Sequence, residues 1–419
     1  MSDTRVVVVG AGVIGLACAW ELRRAGAEVV VIERGTVGGG ASRGNTGWVC
    51  PSFTYPLPAP GMMREGLRQL VTGGGAFVLR PSIDPAFVRW LWAFQRNCST
   101  ARFELGVRAL LGLNRRTLEL FDAYREAGVS FEMHTAGLVV AARTVEGLDP
   151  YRTIFRRIRE LGYEGGAIDE LDSASLSSLE PALDSTRVVA GLHARVDRYV
   201  RPEELTAALA ERLRADGVEI REACELYGFA PLDGALALET TRGPERADRV
   251  VVAAGLPTAA LFRRLGVRLP LLGARGYSVT LTGSGAPPRH ALYLAEAKLG
   301  ISVFDSGIRI AGVFELGART TDVPAGTGDR LISAAQPYLS GWRPDSNGPL
   351  QAWAGLRPAT PDGLPLIGAL PSLEGVYLAT GHGMLGVTLA PATAAFLAPL
   401  VLEGRTADEL APFDPARKP

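Results

Sequence analysis

The order of hydrophobic and polar residues in the first 33 positions predicts a strand, a helix and a second strand. Four consecutive valines, residues 6–9, indicate a strand that is buried on both faces, as in a parallel sheet. Apolar residues recur at helical spacing over residues 13–25, and Gly26 marks the end of this helix. A second apolar run, Glu28–Ile32, then predicts the second strand. The pattern is that of a strand–helix–strand unit.

The same patterns predict further elements along the chain. Residues 51–80 are rich in proline and glycine, which predicts loops, whereas residues 85–128 have helical spacing. Residues 137–143 predict a strand, and three strand-like runs within residues 270–320 predict an antiparallel sheet. Near the end, residues 375–404 predict a short strand, a glycine turn and a long apolar helix.

Composition then narrows the class of protein. The chain has 419 residues, of which 47% are hydrophobic and 21% charged, which is typical of a globular protein of two or three domain-sized units. Lysine plus arginine and aspartate plus glutamate both number 44. Because no net charge attracts the protein to polyanions, we expect no nucleic-acid partner.

The cysteines and histidines give no sign of a metal site. Cys18, Cys50, Cys98 and Cys224 stand far apart, and the chain has only four histidines. No metal-ligand spacing or paired-cysteine motif results. We therefore expect neither a metal centre nor a disulfide framework.

The N-terminal region does not resemble a membrane span or a secretory leader. Its longest charge-free stretch, residues 6–20, contains three glycines and is too short to cross a bilayer. It also lacks a basic leader and a small-residue cleavage site. We expect a cytoplasmic protein, and peripheral contact with the inner face of the membrane stays open.

A glycine motif connects the first strand to the first helix. Gly10, Gly12 and Gly15 form G-x-G-x-x-G, in which the first permits a tight turn, the second lets a pyrophosphate approach and the third lets helix and strand pack closely. The helix N-terminus favours the negative charge of the pyrophosphate. Glu33, 18 positions after the third glycine, is placed to bind ribose hydroxyls. The alternative is a purely structural unit, which leaves Glu33 unexplained. The predicted dinucleotide contacts are Gly10, Gly12, Val13, Ile14, Gly15, Glu33 and Arg34.

Two later features favour FAD over a nicotinamide dinucleotide. A small-residue loop follows Glu33, where nicotinamide dehydrogenases usually proceed to another helix. A short buried strand, residues 247–255, ends in Ala-Ala-Gly where a second chain crossing would pass the pyrophosphate. One nucleotide-binding unit revisited by distant segments is the arrangement of a glutathione-reductase-like flavoprotein. The expected contacts are Ser42, Asn45, Thr46 and Gly47 in the loop and Ala254 and Gly255 at the strand end.

Motifs from one end of the chain to the other resemble a known family. Beyond the N-terminal unit they are GNTGWVCPSFTYPLPAPG (44–61), RGYSVTL (275–281), RIAGVFELGA (309–318), WAGLRPATPDGLPLIG (353–368) and ATGHGMLGVTLAP (379–391). The chain resembles the D-amino-acid oxidase superfamily of FAD-dependent amine oxidoreductases, and within it most closely the bacterial D-amino-acid dehydrogenase family.

The resemblance implies the fold and the division into domains. We expect an α/β protein in which a glutathione-reductase-like FAD-binding Rossmann domain is interleaved with an antiparallel-sheet α+β substrate domain. The predicted FAD-binding domain comprises residues 1–50, 144–268 and 345–419. The predicted substrate-binding domain comprises residues 51–143 and 269–344.

The resemblance also implies the chemistry. An amino acid, most plausibly of the D configuration, would pass a hydride from Cα to flavin N5, and the imine would hydrolyse to a 2-oxo acid and ammonia. Electrons would then reach oxygen or a quinone-type acceptor.

The resemblance also bears on how FAD is attached. The superfamily's covalent members use a cysteine in the C-terminal half; none follows Cys224, so we expect non-covalent FAD. The alternative within flavin chemistry is a secondary-amine oxidase acting on glycine, sarcosine, proline or hydroxyproline derivatives or a biosynthetic amine. A nicotinamide-dependent dehydrogenase and a non-catalytic flavoprotein scaffold are the other two hypotheses.

Arg357 is the leading candidate for binding the substrate. A guanidinium matches a carboxylate with paired donors, and Pro358 and Pro361 stiffen the chain around it. The alternative is an ion pair with Asp362 or Glu315 that ties the domains together.

Three other side chains and a C-terminal turn complete the predicted site. By resemblance, the backbone of His382 contacts the flavin and its side chain helps to close the site; a structural role is the alternative. Tyr277 and Tyr293 lie on predicted strands, where either hydroxyl could reach the carboxylate or the ring could simply be packed. Glu315 and Lys298 are further candidate polar linings. The remaining cofactor contacts implied by resemblance are Leu226, Gly381, His382, Gly383, Met384, Leu385 and Gly386.

The chain departs from the dehydrogenase pattern at two places. Residues 294–297, LAEA, replace Asp-Glu-x-Tyr before Lys298, and Trp48 stands where the dehydrogenases have glutamine. Trp48 also begins the proline-rich segment 48–61, which we expect to be an active-site lid or else a rigid surface loop. The wall around the substrate side chain is thus the part least like the family.

Overall fold

The computed structural model describes residues 4–64, 77–80, 82–345 and 352–418, and residues 65–76 of the predicted loop region lie outside this range. The helices are α1 (Val13–Arg24), α2 (Pro85–Asn97), α3 (Thr100–Asn114), α4 (Thr117–Glu126), α5 (Asp149–Glu160), α6 (Ser173–Leu179), α7 (Pro202–Ala215), α8 (Thr258–Arg264), α9 (Thr327–Ala335) and α10 (Gly386–Glu403). The strands are β1 (Arg5–Val9), β2 (Glu28–Ile32), β3 (Trp48–Val49), β4 (Phe77–Leu79), β5 (Met133–His134), β6 (Leu138–Ala142), β7 (Ile168–Asp172), β8 (Ala190–Ala194), β9 (Arg198–Val200), β10 (Glu219–Arg221), β11 (Leu226–Leu232), β12 (Ala235–Thr240), β13 (Gly243–Ala247), β14 (Arg249–Val252), β15 (Leu272–Leu281), β16 (Gly283–Ser284), β17 (Ala291–Leu294), β18 (Leu299–Phe304), β19 (Gly307–Leu316), β20 (Arg343–Pro344), β21 (Ala352–Ala359), β22 (Leu366–Ala369) and β23 (Val376–Thr380).

A six-stranded sheet holds the N-terminal unit at its centre. Its order is β10-β2-β1-β14-β23-β22, and every pair is parallel except β22 with β23. Val6 and Val8 pack towards α1 and α10, whereas Val7 and Val9 pack towards α8 and the small sheet β11-β12-β13. Burial on both faces explains why β1 is an unbroken apolar run. The prediction of an FAD-type α/β fold is confirmed.

A nine-stranded sheet forms the second layer. Its order is β21-β15-β19-β18-β17-β6-β8-β7, with β4 alongside β19. The pairs are antiparallel except β17 with β6 and β19 with β4. Valine, isoleucine and leucine of β15, β18 and β19 pack on one face of this sheet with residues of α9. The opposite face of its central strands looks towards the N-terminal unit.

The segments that form each of the two sheets differ from the predicted domain ranges. The predicted FAD-binding range 144–268 contains β7 and β8, which belong to the nine-stranded sheet. The range 345–419 contains β21, which pairs with β15 in the same sheet. Both differences arise because these strands find partners distant in sequence, β8 pairing with β6 and β21 with β15, and local patterns do not reveal such partners.

The last helix is long and apolar enough to cross a membrane by length and composition. However, 67% of α10 is buried inside the protein. It packs against α1 and contributes to the core beside the six-stranded sheet. Contacts within the fold therefore account for its apolar composition.

Candidate active site

A cavity of about 2510 Å³ lies between the two sheets. Pockets for a single drug-sized ligand range from about 300 to 1,000 Å³, so this one has room for a dinucleotide together with a substrate. Its lining includes the first glycine turn, the end of β14, the N-terminus of α10 and the face of β15, β18, β19 and β21. These segments are distant in sequence and meet only in the folded chain.

The glycine turn at one end of the cavity is shaped by close backbone contacts. Gly10 has φ +106, and a Cβ there would lie 2.7 Å from the carbonyl oxygen of Ala253. A Cβ on Gly15 would lie 1.8 Å from the carbonyl oxygen of Gly10, so helix and strand approach too closely for any side chain. The backbone N–H of Val13, at the start of α1, donates to Ser42 Oγ at 2.9 Å. The loop containing Ser42 therefore returns to the helix N-terminus.

The carboxylate of Glu33 lines the cavity just beyond this turn. Its Oε2 accepts from the backbone N–H of Ala11 at 2.9 Å, and its Oε1 accepts from that of Gly35 at 2.8 Å. These bonds fix the carboxylate at the carboxyl end of β2, beside the glycine turn. A dinucleotide ribose at this position would meet a pre-oriented acceptor.

The C-terminal turn brings the start of α10 to the cavity. His382 is 5% exposed, and its Nε2 lies 3.0 Å from Thr393 Oγ1 within the same segment. Burial lowers the pKa of His382 to about 3. The ring is therefore neutral near pH 7 and is bonded within the protein, which does not suit it to proton transfer.

The structure brings most predicted contacts together around this cavity. Gly15, Gly47 and Gly381 are not among its lining residues. A Cβ on Gly47 would lie 1.8 Å from the carbonyl oxygen of Val200, so this glycine permits close packing. The predicted residues that do line the cavity are Gly10, Gly12, Val13, Ile14, Glu33, Arg34, Ser42, Asn45, Thr46, Leu226, Ala254, Gly255, Tyr277, Tyr293, Arg357, His382, Gly383, Met384, Leu385 and Gly386.

Arg357 reaches the cavity from β21 across the neighbouring strand. A Cβ on Gly276 would lie 2.3 Å from its Cζ, so the guanidinium rests on a glycine of β15. Its Nη1 donates to the backbone carbonyl of Val313 at 3.1 Å, and its Cζ lies 5.7 Å from the centre of the Phe314 ring. Burial lowers the pKa of Arg357 to about 10, which still leaves the side chain cationic at neutral pH.

The two acids that could have paired with Arg357 are bound to other arginines. Asp362 accepts from Arg417 at 2.8 Å. Glu315 accepts from Arg275 at 2.7 Å and also binds Arg80. Within the described parts of the chain, no carboxylate lies within 4.0 Å of the Arg357 guanidinium. A half-buried cation that faces the cavity without an anionic partner can bind an anionic ligand.

Tyr277 belongs to the Glu315 network. Its hydroxyl donates to Glu315 Oε2 at 2.7 Å, and burial raises the pKa of Tyr277 to about 12. The bonds from Arg275, Tyr277 and Arg80 outweigh burial and lower the pKa of Glu315 to about 2. The Tyr277 hydroxyl is thus engaged by Glu315, while Tyr277 also lines the cavity.

Aromatic side chains form the other end of the cavity. Trp48, Phe53 and Tyr293 lie within 6.0 Å of one another, measured between ring centres. Tyr151 of α5 lies 5.4 Å from Tyr293 and accepts a hydrogen bond from Lys298 at 2.5 Å. Sequence reasoning missed Tyr151, because no motif connects α5 to the cavity and only the tertiary fold places it there.

The first part of the predicted lid is anchored. Ser52 and Thr54 are fully buried. Ser52 Oγ donates to the buried carboxyl group of Asp197, and Thr54 Oγ1 donates to the carbonyl of Cys50 at 3.0 Å. Trp48 Nε1 donates to Ser302 Oγ at 3.0 Å. These bonds anchor residues 48–54 as a wall of the cavity. The lid or surface loop expected for residues 48–61 as a whole stays a prediction.

Comparison with known proteins connects this site to a family. The family described as FAD dependent oxidoreductase matches residues 5–400. The chain belongs to the FAD-dependent oxidoreductase family. It is 32% identical over 408 residues to a D-amino acid dehydrogenase of Cereibacter sphaeroides, covering 96% of this chain and 92% of that protein.

Solved structures of other flavoenzymes share the fold. Glycine oxidase from Geobacillus kaustophilus aligns with a TM-score of 0.77 and 24% identity, covering 99% of this chain and 100% of that one. L-proline dehydrogenase from P. horikoshii aligns with a TM-score of 0.74 and 20% identity, covering 99% and 97%. At this identity the likeness shows the fold alone.

The residues at the nucleotide end fit FAD. Gly12 leaves the approach to the α1 N-terminus open, since a Cβ there would lie 3.1 Å from Ser42 Oγ. Glu33 offers an oriented acceptor, and the N-termini of α1 and α10 both reach the cavity, where helix dipoles favour negative charge. These features would hold a pyrophosphate and support charge on a reduced ring, as an FAD cofactor requires.

Proposed function

We propose that this enzyme oxidises an α-amino acid of the D configuration to a 2-oxo acid and ammonia, with non-covalently bound FAD. The observation that carries the proposal is Arg357, a half-buried guanidinium that faces the cavity with no carboxylate partner among the described residues. Relatives about 32% identical over nearly the whole chain are D-amino acid dehydrogenases, which supports the same class of substrate.

Each part of the site has a task in this reaction. Arg357 would bind the substrate carboxylate through paired N–H donors and so fix Cα against the cofactor. Bound FAD supplies the hydride acceptor. His382 is neutral and bonded to Thr393, so the protein offers no strong base at this turn. The amine would therefore bind in its neutral form, and its lone pair would drive hydride release and form the imine that water hydrolyses.

The second candidate function is oxidation of a secondary amine such as sarcosine, proline or a hydroxyproline derivative. Its support is that Arg357 would bind the carboxylate of an N-alkyl amino acid in the same way, and that L-proline dehydrogenase and glycine oxidase share the fold. With either substrate, the electrons would pass through FAD to oxygen or to a quinone-type acceptor.

The test is anaerobic reduction of the bound flavin by a panel of D-, L- and N-alkyl amino acids. We expect bleaching near 450 nm, the usual visible absorption of oxidised flavin, with D-amino acids and slower or no bleaching with L-enantiomers. Preferential bleaching by N-alkyl amino acids would replace the first candidate by the second. Purified protein that neither contains nor takes up FAD, or flavin that no amine bleaches, would overturn both.

A further inference from the structure

We propose that the aromatic end of the cavity, formed by Trp48, Phe53, Tyr55 and Tyr293, is a side-chain pocket that selects amino acids with an aromatic side chain. The inference rests on the proposed function, because it takes Arg357 as the anchor for the substrate carboxylate. It concerns the part of the wall in which the chain departs from the dehydrogenase pattern.

The four rings form one continuous apolar surface. Ring centres lie 6.0 Å apart for Trp48 and Phe53, 5.9 Å for Trp48 and Tyr293, and 5.7 Å for Phe53 and Tyr293. Tyr55 extends the set, with its ring centre 6.3 Å from that of Phe53. All four line the cavity. Edge-to-face and tilted rings at these distances offer both faces and edges to a further ring, which favours an aromatic ligand.

The floor between Arg357 and these rings is made of very small residues. Gly300 of β18 and Ala311 of β19 pair with each other, and both line the cavity. A Cβ on Gly300 would lie 2.9 Å from Trp48 Cζ2, so the indole lies directly on this glycine. The sheet therefore leaves a flat, open path from the guanidinium to the indole.

The length of this path places the indole within reach of a bound amino acid. Arg357 contacts Val313 of β19, and Trp48 rests on Gly300 of β18, which pairs with Ala311 two positions along β19. At about 4.8 Å between strands and 3.3 Å per residue, roughly 8 Å separates the backbone positions of Val313 and Gly300. An amino acid whose carboxylate is held at Arg357 would therefore bring its side chain towards the indole.

One charged side chain at this end is held by an aromatic neighbour. Lys298 lines the cavity, and its Nζ donates to Tyr151 at 2.5 Å and lies 4.7 Å from the centre of that ring. The Tyr151 hydroxyl donates in turn to the carbonyl of Ala295 at 3.1 Å. The Lys298 ammonium is thus held against Tyr151, whose ring centre lies 5.4 Å from that of Tyr293.

The first experiment measures binding without catalysis. The FAD-loaded enzyme is titrated with propanoate and with 3-phenylpropanoate, which carry the carboxylate but no amine, and binding is followed through the perturbed flavin spectrum. We expect 3-phenylpropanoate to bind at least tenfold more tightly than propanoate. In Trp48→Gln the ratio should fall to about threefold or less. Trp92→Gln is the matched control, because Trp92 is 63% exposed on α2 and should leave the ratio unchanged.

The second experiment measures kcat/KM for D-phenylalanine and D-alanine in the same proteins. In the parent we expect kcat/KM to be at least tenfold higher for D-phenylalanine than for D-alanine. In Trp48→Gln this ratio should fall strongly, while FAD content stays unchanged. Phe53→Leu, which keeps an apolar side chain, tests the same wall if Trp48→Gln does not fold. Equal binding of the two carboxylates, or a ratio that Trp48→Gln and Phe53→Leu both leave intact, would overturn the inference, as would a preference for D-aspartate or D-glutamate.

The two experiments separate this inference from the proposed function. Tighter binding of 3-phenylpropanoate together with no flavin bleaching by any amine would support the aromatic pocket and overturn the deamination. Flavin bleaching by D-alanine together with equal binding of the two carboxylates would support the deamination and overturn the aromatic pocket.

Discussion

The two ends of the cavity are built by different means. At the nucleotide end, the binding surface is formed by the backbone. Gly10, Gly12 and Gly15 set the chain path, and the contacts come from N–H groups and a helix terminus. At the substrate end, the binding surface is formed by side chains on the nine-stranded sheet. Which arginine can bind a substrate there depends on which charged groups are already paired. Arg275 is satisfied by Glu315, whereas Arg357 contacts a backbone carbonyl and the Phe314 ring and has no carboxylate partner among the described residues. A cofactor site can therefore be encoded locally, while a substrate site depends on long-range pairing.

The largest expected effect is on Arg357. Arg357→Ala should lower kcat/KM by roughly 10² to 10³-fold, because loss of a buried charge-assisted contact costs about 3 to 4 kcal/mol. FAD content should stay the same, since no predicted nucleotide contact involves this residue. Steady-state kinetics with a D-amino acid, together with the flavin absorbance per chain, checks both statements. Unchanged kinetics would remove Arg357 from the substrate site.

Replacement of Arg275, which is paired with Glu315, should lower stability. Arg275→Ala leaves Glu315 buried without its main cation, so the free energy of unfolding should fall by about 3 kcal/mol or more. Denaturant titration measures this change. Arg319→Ala is the control, because its ion pair with Asp84 is exposed and should contribute less than about 1 kcal/mol. Equal losses in the two variants would contradict the distinction between buried and exposed pairs.

The anchor of the aromatic end, the bond between Ser52 and Asp197, should make stability depend on pH. Burial raises the pKa of Asp197 to about 7, so the folded protein keeps a proton that the unfolded chain releases between about pH 4 and pH 7. Stability should therefore decline as pH rises through this window, by on the order of 2 to 4 kcal/mol at about 1.4 kcal/mol per pKa unit.

Asp197→Asn should flatten that decline, since an amide can still accept from Ser52 and carries no charge. Thermal unfolding at pH 5, 6, 7 and 8 measures it. Asp233→Asn, on an exposed turn, is the control. A parent protein whose stability rises from pH 5 to pH 7, with no difference in Asp197→Asn, would contradict the raised pKa.

The smallest expected effect is at the nucleotide end. Gly12→Ala puts a Cβ 3.1 Å from Ser42 Oγ, where the pyrophosphate must approach, and should weaken FAD binding by about tenfold or more, or roughly 1.4 kcal/mol. Gly112→Ala on α3, which is not among the residues lining the cavity, has nothing within 4 Å of its Cβ and should bind FAD normally. Fluorescence titration of apoprotein with FAD compares the two. Substrate preference should be the same in both variants.

This contrast also explains what the sequence could predict. The N-terminal unit was predicted with its strands and helix nearly in place, because Gly10, Gly12, Gly15 and Glu33 fall within 24 consecutive residues. Arg357 was found through its motif, but its lack of a partner was not, since that depends on Arg275 and Arg417 engaging the two nearby acids.

The aromatic end could not be assembled from local patterns. Trp48, Tyr151 and Tyr293 come from three separate segments, and Tyr151 lies on a helix with no motif. For the same reason the strands β7 and β8 were assigned to the other domain, since their partner β6 is distant in sequence. Tertiary pairing, rather than propensity, decides these features.

The central claim, that Arg357 holds the substrate carboxylate, is tested most directly by comparing D-alanine with D-alaninamide. The two compounds share the reacting Cα–N bond, but only the first carries a carboxylate. Anaerobic stopped-flow reduction of the flavin should be far more efficient with the acid than with the amide in the parent enzyme, and Arg357→Ala should remove most of that preference. If Arg357→Ala keeps its FAD and still prefers the acid as strongly as the parent does, the carboxylate is bound elsewhere and the account is wrong.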